Sequence, residues 1–398
     1  MQAERIRLNR KSGAAKRYPR AATQLLLFVL SLIIGLSACG GGAAVDPANP
    51  QAGSAVRSMQ LLTDSHGWAL TDAGLRWTSD GGKNWGEIRP PGVAATAIRG
   101  AFFLNTDDGW VVVAENATES TDDLVLFRTS DGGESWALSP LGSRSADAGG
   151  APAYIHFFDT QNGWIVLKQL SSSNASVGVL FRTTDSGETW QKLSIPIGEP
   201  VRFLTATEGW TAGGPAGDEL YLTRDAGSSW ERVQVDLPAN FDLATPTYEL
   251  PVFGKADELL LSVTFTGDSS GVSLFESTDR GRSWRLRRSL PYNLSLSTGS
   301  SIPADIVEGD FWVVLMPDGS GVFRGPSTVE ALLQTSPNGL PAGVYDVDFA
   351  TSQVGWALLR YGACPPGIKS GCTEIEALLQ TTDGGQTWVP LIPAELLS

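Results

Sequence analysis

The sequence predicts an all-β fold, a seven-bladed β-propeller of four-stranded antiparallel blades, and two repeated phrases with their spacing predict it. The first phrase, Ser/Thr-x-Asp-x-Gly-x-x-Trp, occurs six times, at residues 78–85 (TSDGGKNW), 129–136 (TSDGGESW), 183–190 (TTDSGETW), 223–230 (TRDAGSSW), 277–284 (STDRGRSW) and 381–388 (TTDGGQTW). The second is Gly-Trp followed by apolar residues: Gly67-Trp68, Gly109-Trp110, Gly163-Trp164, Gly209-Trp210 and Gly355-Trp356, with Phe311-Trp312 as a variant. Successive copies recur at about fifty residues, and a fixed period of that length marks a repeat architecture.

The unit count follows from laying one series against the other. Asp80, Asp131, Asp185, Asp225, Asp279 and Asp383 leave one double gap, between the last two. The Gly-Trp series lapses elsewhere, where Asp257-Glu258-Leu259-Leu260-Leu261 stands in for the missing strand ahead of an intact phrase at Ser277. In the aspartate gap, Val322-Phe323-Arg324 repeats the Leu126-Phe127-Arg128 and Leu180-Phe181-Arg182 that precede intact phrases. Filling both gaps gives seven units.

Within the second unit each element has a local cause. Ala101-Phe102-Phe103-Leu104 is a short apolar run, the first strand, and residues 105–108 carry turn chemistry. Trp110-Val111-Val112-Val113 is the β-branched second strand, Leu124 to Phe127 the third, the aspartate phrase a turn, and residues 136–139 the fourth. Radial repetition of such units leaves only short, protected sheet edges. No segment beyond the N-terminal region shows a helical period.

In the aspartate phrase, a carboxylate two residues after Ser/Thr accepts hydrogen bonds from the N–H groups of its own turn, while glycine supplies positive φ. The closing tryptophans, Trp85, Trp136, Trp190, Trp230, Trp284 and Trp388, pack beneath the hairpin as apolar anchors. A calcium or catalytic role would need several carboxylates converging on one point. Each phrase has one and the copies lie on separate blades, so the six aspartates are read as structural.

The phrase resembles the Asp box, or BNR repeat, of sialidases, sortilin-type receptors and two-domain xyloglucanases. Combined with a Gly-Trp strand one hairpin earlier, the pattern over residues 56–393 is most similar to the photosystem II assembly and stability factor family of propellers. That resemblance implies a noncatalytic scaffold that holds other proteins.

The N-terminus reads separately. Arg5, Arg7, Arg10, Lys11, Lys16, Arg17 and Arg20 precede an apolar stretch from Leu25 to Leu36, which ends in Leu36-Ser37-Ala38-Cys39-Gly40. A basic region, a dozen or so apolar residues and small residues at the cut describe a secretory signal. The segment resembles a bacterial lipobox, with residues 1–38 removed and lipid on Cys39. The alternatives are an ordinary signal peptide and an uncleaved membrane helix, for which the apolar core is short of the ~20 residues a bilayer demands. Residues 39–55 then form a flexible tether to a propeller at 56–398, placed in the bacterial cell envelope outside the cytoplasm.

The whole chain carries a formal charge of −14. Residues 1–38 hold seven of its 29 basic and one of its 43 acidic residues, leaving 22 basic against 42 acidic, near −20. That balance argues against nucleic acid and against electrostatic adhesion to anionic lipid. It also departs from the arginine-rich surfaces that the family resemblance implies. The expected partner is a membrane-associated protein, the expected state a monomer, and no cofactor is implied.

Cys364 and Cys372 flank a Pro/Gly-containing loop and, in an exported chain, read as a disulfide; a metal site would need further ligands. His66 and His156 are the only histidines and fall in different units, which supports neither a zinc site nor a Ser-His-Asp hydrolase. A glycosidase needs only two carboxylates and no histidine. A sialidase would also need an arginine triad, a Tyr-Glu pair and a Phe/Tyr-Arg-Ile-Pro phrase, and the phrase is absent. Two carboxylates converging at the mouth of the central channel, with aromatics beside them, would favour this carbohydrate alternative.

Two surfaces are candidates for a partner. Irregular connections, at residues 115–123, 169–178, 213–219, 266–271 and 364–372, emerge on one side of the ring with Tyr154, Tyr248, Tyr292 and Tyr345 on the connections, and recognition sits on such loops more often than on the frame. Plain surface insertion is the competing reading. The other candidate is Arg280, Arg282, Arg285, Arg287 and Arg288 around the fifth phrase, which either dock an acidic partner or blunt a sheet edge against pairing.

Overall fold

The computed structural model describes residues 56–114, 123–144, 152–169, 176–239, 244–254, 257–267, 270–291, 302–307, 311–316, 321–324, 331–333, 343–363 and 373–391. The expected signal and tether, Cys39, Cys364, Cys372 and Tyr292 lie outside the described residues. The described residues form an all-β propeller whose sheets, in chain order, span residues 56–87, 98–144, 153–193, 201–232, 245–291, 304–333 and 344–391. They are called sheets 1 to 7 below.

Six of these are four-stranded antiparallel blades, not the seven expected. Sheet 5 has five strands, and Pro251 is the reason. Proline removes a ladder donor and biases the residue before it out of register. The inner strand is therefore split into Thr245–Tyr248 and Val252–Phe253, both pairing with Leu259–Thr266.

Among the described residues the apolar core is divided into separate clusters. Apolar clusters lie between successive sheets, and one, built from Val56, Met59, Leu61 and Trp85 with Trp356, Leu358 and Leu378, joins sheet 7 back to sheet 1. Side chains alternate across each strand, so one parity of the second strand faces the following sheet and the other faces the preceding one. Trp110 and Val112 pack toward sheet 3, while Val111 and Val113 pack toward sheet 1.

That alternation explains the Gly-Trp phrase. Trp110 stacks on Phe157 of sheet 3 with ring centroids 3.6 Å apart, and Trp164 stacks on Phe203 of sheet 4 at 3.5 Å. Phe157 in turn fills the space above Gly163 of its own sheet, where an added Cβ would sit 2.3 Å from the ring. Trp110 and Trp164 each donate their indole N–H to the aspartate turn of the following sheet, at Ser186 O and Ala226 O, both 3.0 Å away.

The stand-in strand of sheet 5 keeps this frame, because Leu259 lies opposite Ser277 as Gly163 lies opposite Thr183. The Phe311-Trp312 variant departs from it in packing. In sheet 6, Val313 and Leu315 pack toward sheet 7 while Val314 and Met316 pack toward sheet 5, so Val313 takes the phase of Trp110. In the ladder position 312 keeps its place, opposite Arg324 as Trp164 lies opposite Arg182, but in packing phase it is one residue out of step.

Candidate functional site: the central channel and its mouth

The first strands of the sheets face one another and line a central channel, with a cavity of about 520 Å³ bordered by Arg57, Arg99, His156, Arg202, Asp305 and Asp348 among others. One position dominates its wall. Eight residues before each Trp-phase residue, and directly opposite it in the ladder, stand Gln60, Phe102, His156, Arg202, Val252, Asp305 and Asp348. The partners are Trp68, Trp110, Trp164, Trp210, Leu260, Val313 and Trp356.

At three junctions the side chain at this position binds the first strand of the next sheet. His156 Nε2 accepts the N–H of Phe203 at 3.0 Å, Asp305 Oδ2 accepts that of Phe349 at 2.7 Å, and Asp348 Oδ2 accepts that of Leu61. The acceptor spans sheets 3 to 4, 6 to 7, and 7 to 1. Asp305 Oδ1 and Asp346 Oδ1 also accept the N–H of the residue that follows each, at 2.8 and 2.9 Å.

Three carboxyls thus converge from sheets 6 and 7. Burial pushes all three up: Asp346 reaches about 6, and Asp348, beside Asp305 and Asp346, lies well above the usual carboxylate range. The Arg202 guanidinium opposes the rise at each. Burial and the same arginine press His156 down to about 4, so it stands neutral as an acceptor should. Among the described residues no group of three or more His, Cys, Asp or Glu side chains is arranged to hold a metal.

An adjoining recess of about 520 Å³ at the mouth shares Arg202, Ala304 and Asp346 with the channel and adds Glu199, Tyr248, Glu249 and Tyr345. Tyr154 lines the channel beside it, its hydroxyl pushed up to about 12 by burial and by the nearby Glu199 and Tyr345. Three of the four tyrosines expected on the connections gather at this mouth, but from the first strands of sheets 3, 5 and 7 and not from connections. Tyr345 is 43 % exposed, with Arg360 stacked 4.0 Å above its ring. Glu199 is held by Lys168 at 2.7 Å.

The aspartates of the repeated phrase are placed elsewhere, one in each turn. In the third, Thr183 Oγ1 donates to Asp185 Oδ1 at 2.7 Å and accepts the N–H groups of Asp185 and Gly187. Asp185 Oδ1 accepts the N–H of Thr189, Asp185 Oδ2 its hydroxyl, and Trp190 closes the turn by donating to Gly187 O at 3.1 Å. Asp80, Asp131, Asp225, Asp279 and Asp383 repeat the carboxylate bonds. Hydrogen bonds from Asn84, Ser135 and Ser283 hold Asp80, Asp131 and Asp279 down at about 2.

The arginine cluster is occupied within the chain. Arg280 pairs with Asp257 at 2.5 Å and Glu208 at 3.4 Å, and Arg282 reaches Glu208 at 3.8 Å. Arg285 and Arg287 share Glu276 at 2.8 and 3.7 Å. Arg285, Arg287 and Arg288 lie on Arg285–Pro291, the outermost strand of sheet 5.

No known family model matches the chain. It is 22 % identical over 275 residues to the photosystem II stability/assembly factor HCF136 of Arabidopsis thaliana chloroplasts, an alignment covering 66 % of this chain and 61 % of that protein. The chain thus spans about three fifths of the length of that curated relative. Among solved structures it is similar to YCF48 bound to a D1 peptide, at 18 % identity and a TM-score of 0.43, covering 78 % of this chain and 84 % of that one. It is also similar to an ancestral GH74 enzyme, at 10 % identity and a TM-score of 0.52, covering 86 % of this chain and 55 % of that one. The last of these carries the propeller fold; none of them assigns the activity.

Proposed function

We propose that the chain is a noncatalytic protein-binding propeller, an assembly scaffold whose protein partner docks over the tyrosine-lined mouth of the channel. One observation carries this reading. Asp305 and Asp348, two of the carboxyls open to a hydrolytic pair, each hold a backbone N–H of the next sheet and so are engaged in joining neighbouring sheets. A glycosidase requires one carboxyl free to protonate a leaving group and a second free to act as base or nucleophile. The weak similarity to HCF136, named as a stability and assembly factor, supports the same reading. The partner contact belongs to the mouth rather than to the arginines of sheet 5, whose charges are answered by Glu208, Asp257 and Glu276.

In this reading the N-terminal segment delivers the propeller to the outer side of a bacterial membrane, lipid on Cys39 anchors it, and Cys364–Cys372 closes a loop as a disulfide. The monomer is the working unit. Cys39→Ala should move the protein from the membrane fraction to the soluble one.

A carbohydrate-binding or carbohydrate-cleaving role is the second reading. Asp346, held near 6 and beside Tyr154 and Tyr345, is the observation that favours it, since a carboxyl that keeps its proton near neutrality can donate to a sugar oxygen. Crosslinking of the native protein in intact cells, followed by mass spectrometry, separates the two. A dominant protein partner with crosslinks at the mouth around Tyr345 supports the scaffold. Glycan copurifying without any protein partner sinks it.

A further inference from the structure

We propose that the seam where sheet 7 meets sheet 1 is the opening point of the ring, and that it is a pH-sensitive latch held shut by Asp348 in its protonated form. The chain runs from each sheet directly into the next, so separating any other neighbouring pair leaves the two still covalently tied. Sheets 7 and 1 have no such tie, and among the described residues no β-ladder crosses between them.

The contacts described across the seam are of known kind. Trp85 and Trp356 lie 5.5 Å apart within the apolar cluster. Gln380 Nε2 donates to Gly81 O at 3.0 Å, Arg360 donates to Val56 O at 3.4 Å, and Leu61 donates its N–H to Asp348 Oδ2. Amides and an arginine keep their charge state at any physiological pH; Asp348 does not.

The surroundings of Asp348 set the direction. Asp346 faces it from its own strand and Asp305 from sheet 6, with Arg202 of sheet 4 across the channel as the opposing charge. Arg57 of sheet 1 and Arg99 of sheet 2 line the same cavity, but Arg57 is turned to Ile98 O, Thr71 O and Asp72, and Arg99 to Thr96 O. His156 of sheet 3 is neutral. Burial is the main pressure against ionising Asp348 and the two neighbouring carboxyls add to it, outweighing the Leu61 N–H and Arg202, which favour the anion. An open seam returns the group to water and to its ordinary range, so ionisation favours the open form and the latch weakens as pH rises.

Hydrogen–deuterium exchange of the full chain at pH 5 and pH 8, corrected for intrinsic base catalysis, tests this at three homologous amides. The opening constant at Leu61 should rise about tenfold or more between the two values. Phe203, held by His156, should not change, and Phe349, held by Asp305 across a junction the chain spans, should change less than Leu61. Asp348→Asn keeps an acceptor that cannot ionise, so the response at Leu61 should fall to that of Phe349. Equal responses at Leu61 and Phe203 in the unaltered protein would overturn the latch, as would an undiminished response at Leu61 in Asp348→Asn. If that variant fails to fold, the comparison of the three native amides decides alone.

Discussion

The turn at Asp185 and the channel wall at Asp348 place the same side chain in opposite conditions. Asp185 sits at the rim of its sheet with donors on both oxygens, including the N–H and hydroxyl of Thr189, and is held below the usual carboxylate range. Asp348 sits inside the ring with one backbone donor, two carboxyls beside it and one arginine opposite, and is held above it. The supply of donors and the distance from water, not the residue type, fix the charge. The difference also separates frame from site. The turn recurs six times with the same carboxylate bonds, whereas the acids at the channel occur at sheets 6 and 7 and make the ring asymmetric.

Several changes would break or sharpen that contrast. Thr183→Val should have the largest effect, because the buried hydroxyl serves two backbone N–H groups and one carboxylate. A loss of about 2–3 kcal/mol in urea unfolding is expected, with near wild-type stability counting against the turn as frame.

Next comes the pH profile of stability, in which the two acid sets act with opposite sign. Asp80, Asp131 and Asp279, depressed to about 2, add stability that is present above the ordinary carboxylate range and lost as pH falls toward 2. Asp346, raised to about 6, adds stability that is present in acid and lost as pH rises through 6. Urea titrations from pH 3 to 8 should therefore peak on the acid side of neutrality. Asp346→Asn should flatten the limb above pH 5 by on the order of 1 kcal/mol while leaving the acid limb alone. An unchanged upper limb would place the ionisable pressure elsewhere in the channel.

Ser186→Gly should raise stability by about 0.5–1 kcal/mol, since Ser186 holds φ at 63° where the first, second and sixth turns have glycine. Thermal unfolding reads this directly. Arg285→Ala should be smallest, within about 0.5 kcal/mol, because its pair with Glu276 is made by a side chain 70 % exposed. Partner capture should survive that change. Its loss would return the arginine cluster to the list of binding surfaces.

Much of the frame was legible in the residues because it is repeated. The aspartate turns were readable one by one, and the strand that stands in for the missing Gly-Trp lies within reach of residues 257–261, with Leu259 opposite Ser277. Pro251 was visible too, but a proline says only that a ladder is interrupted, and whether the strand ends or resumes depends on what Leu259–Thr266 offers it. The 311–312 pair misled because aromatic identity matched the phrase while phase did not; Val313, eight residues after Asp305, was the true counterpart. The channel acids escaped because no local phrase contains them. Asp305 and Asp348 share only a distance of eight from Val313 and Trp356, and counting back from every Gly-Trp would have found Gln60, His156, Arg202 and Asp348 together. The ion pairs of Arg280 with Glu208 span 72 residues, a reach no window along the chain encloses.

The stacking of Trp110 on Phe157, repeated by Trp164 on Phe203, bears on how such a chain could have grown. In these blades one side offers an indole tongue and the other a phenyl groove, so a duplicated unit arrives already equipped to join a like neighbour at either edge. Copying the gene segment lengthens the ring without inventing a new joint. Only the last joint made, where the newest arrangement must meet the oldest, has to be found afresh.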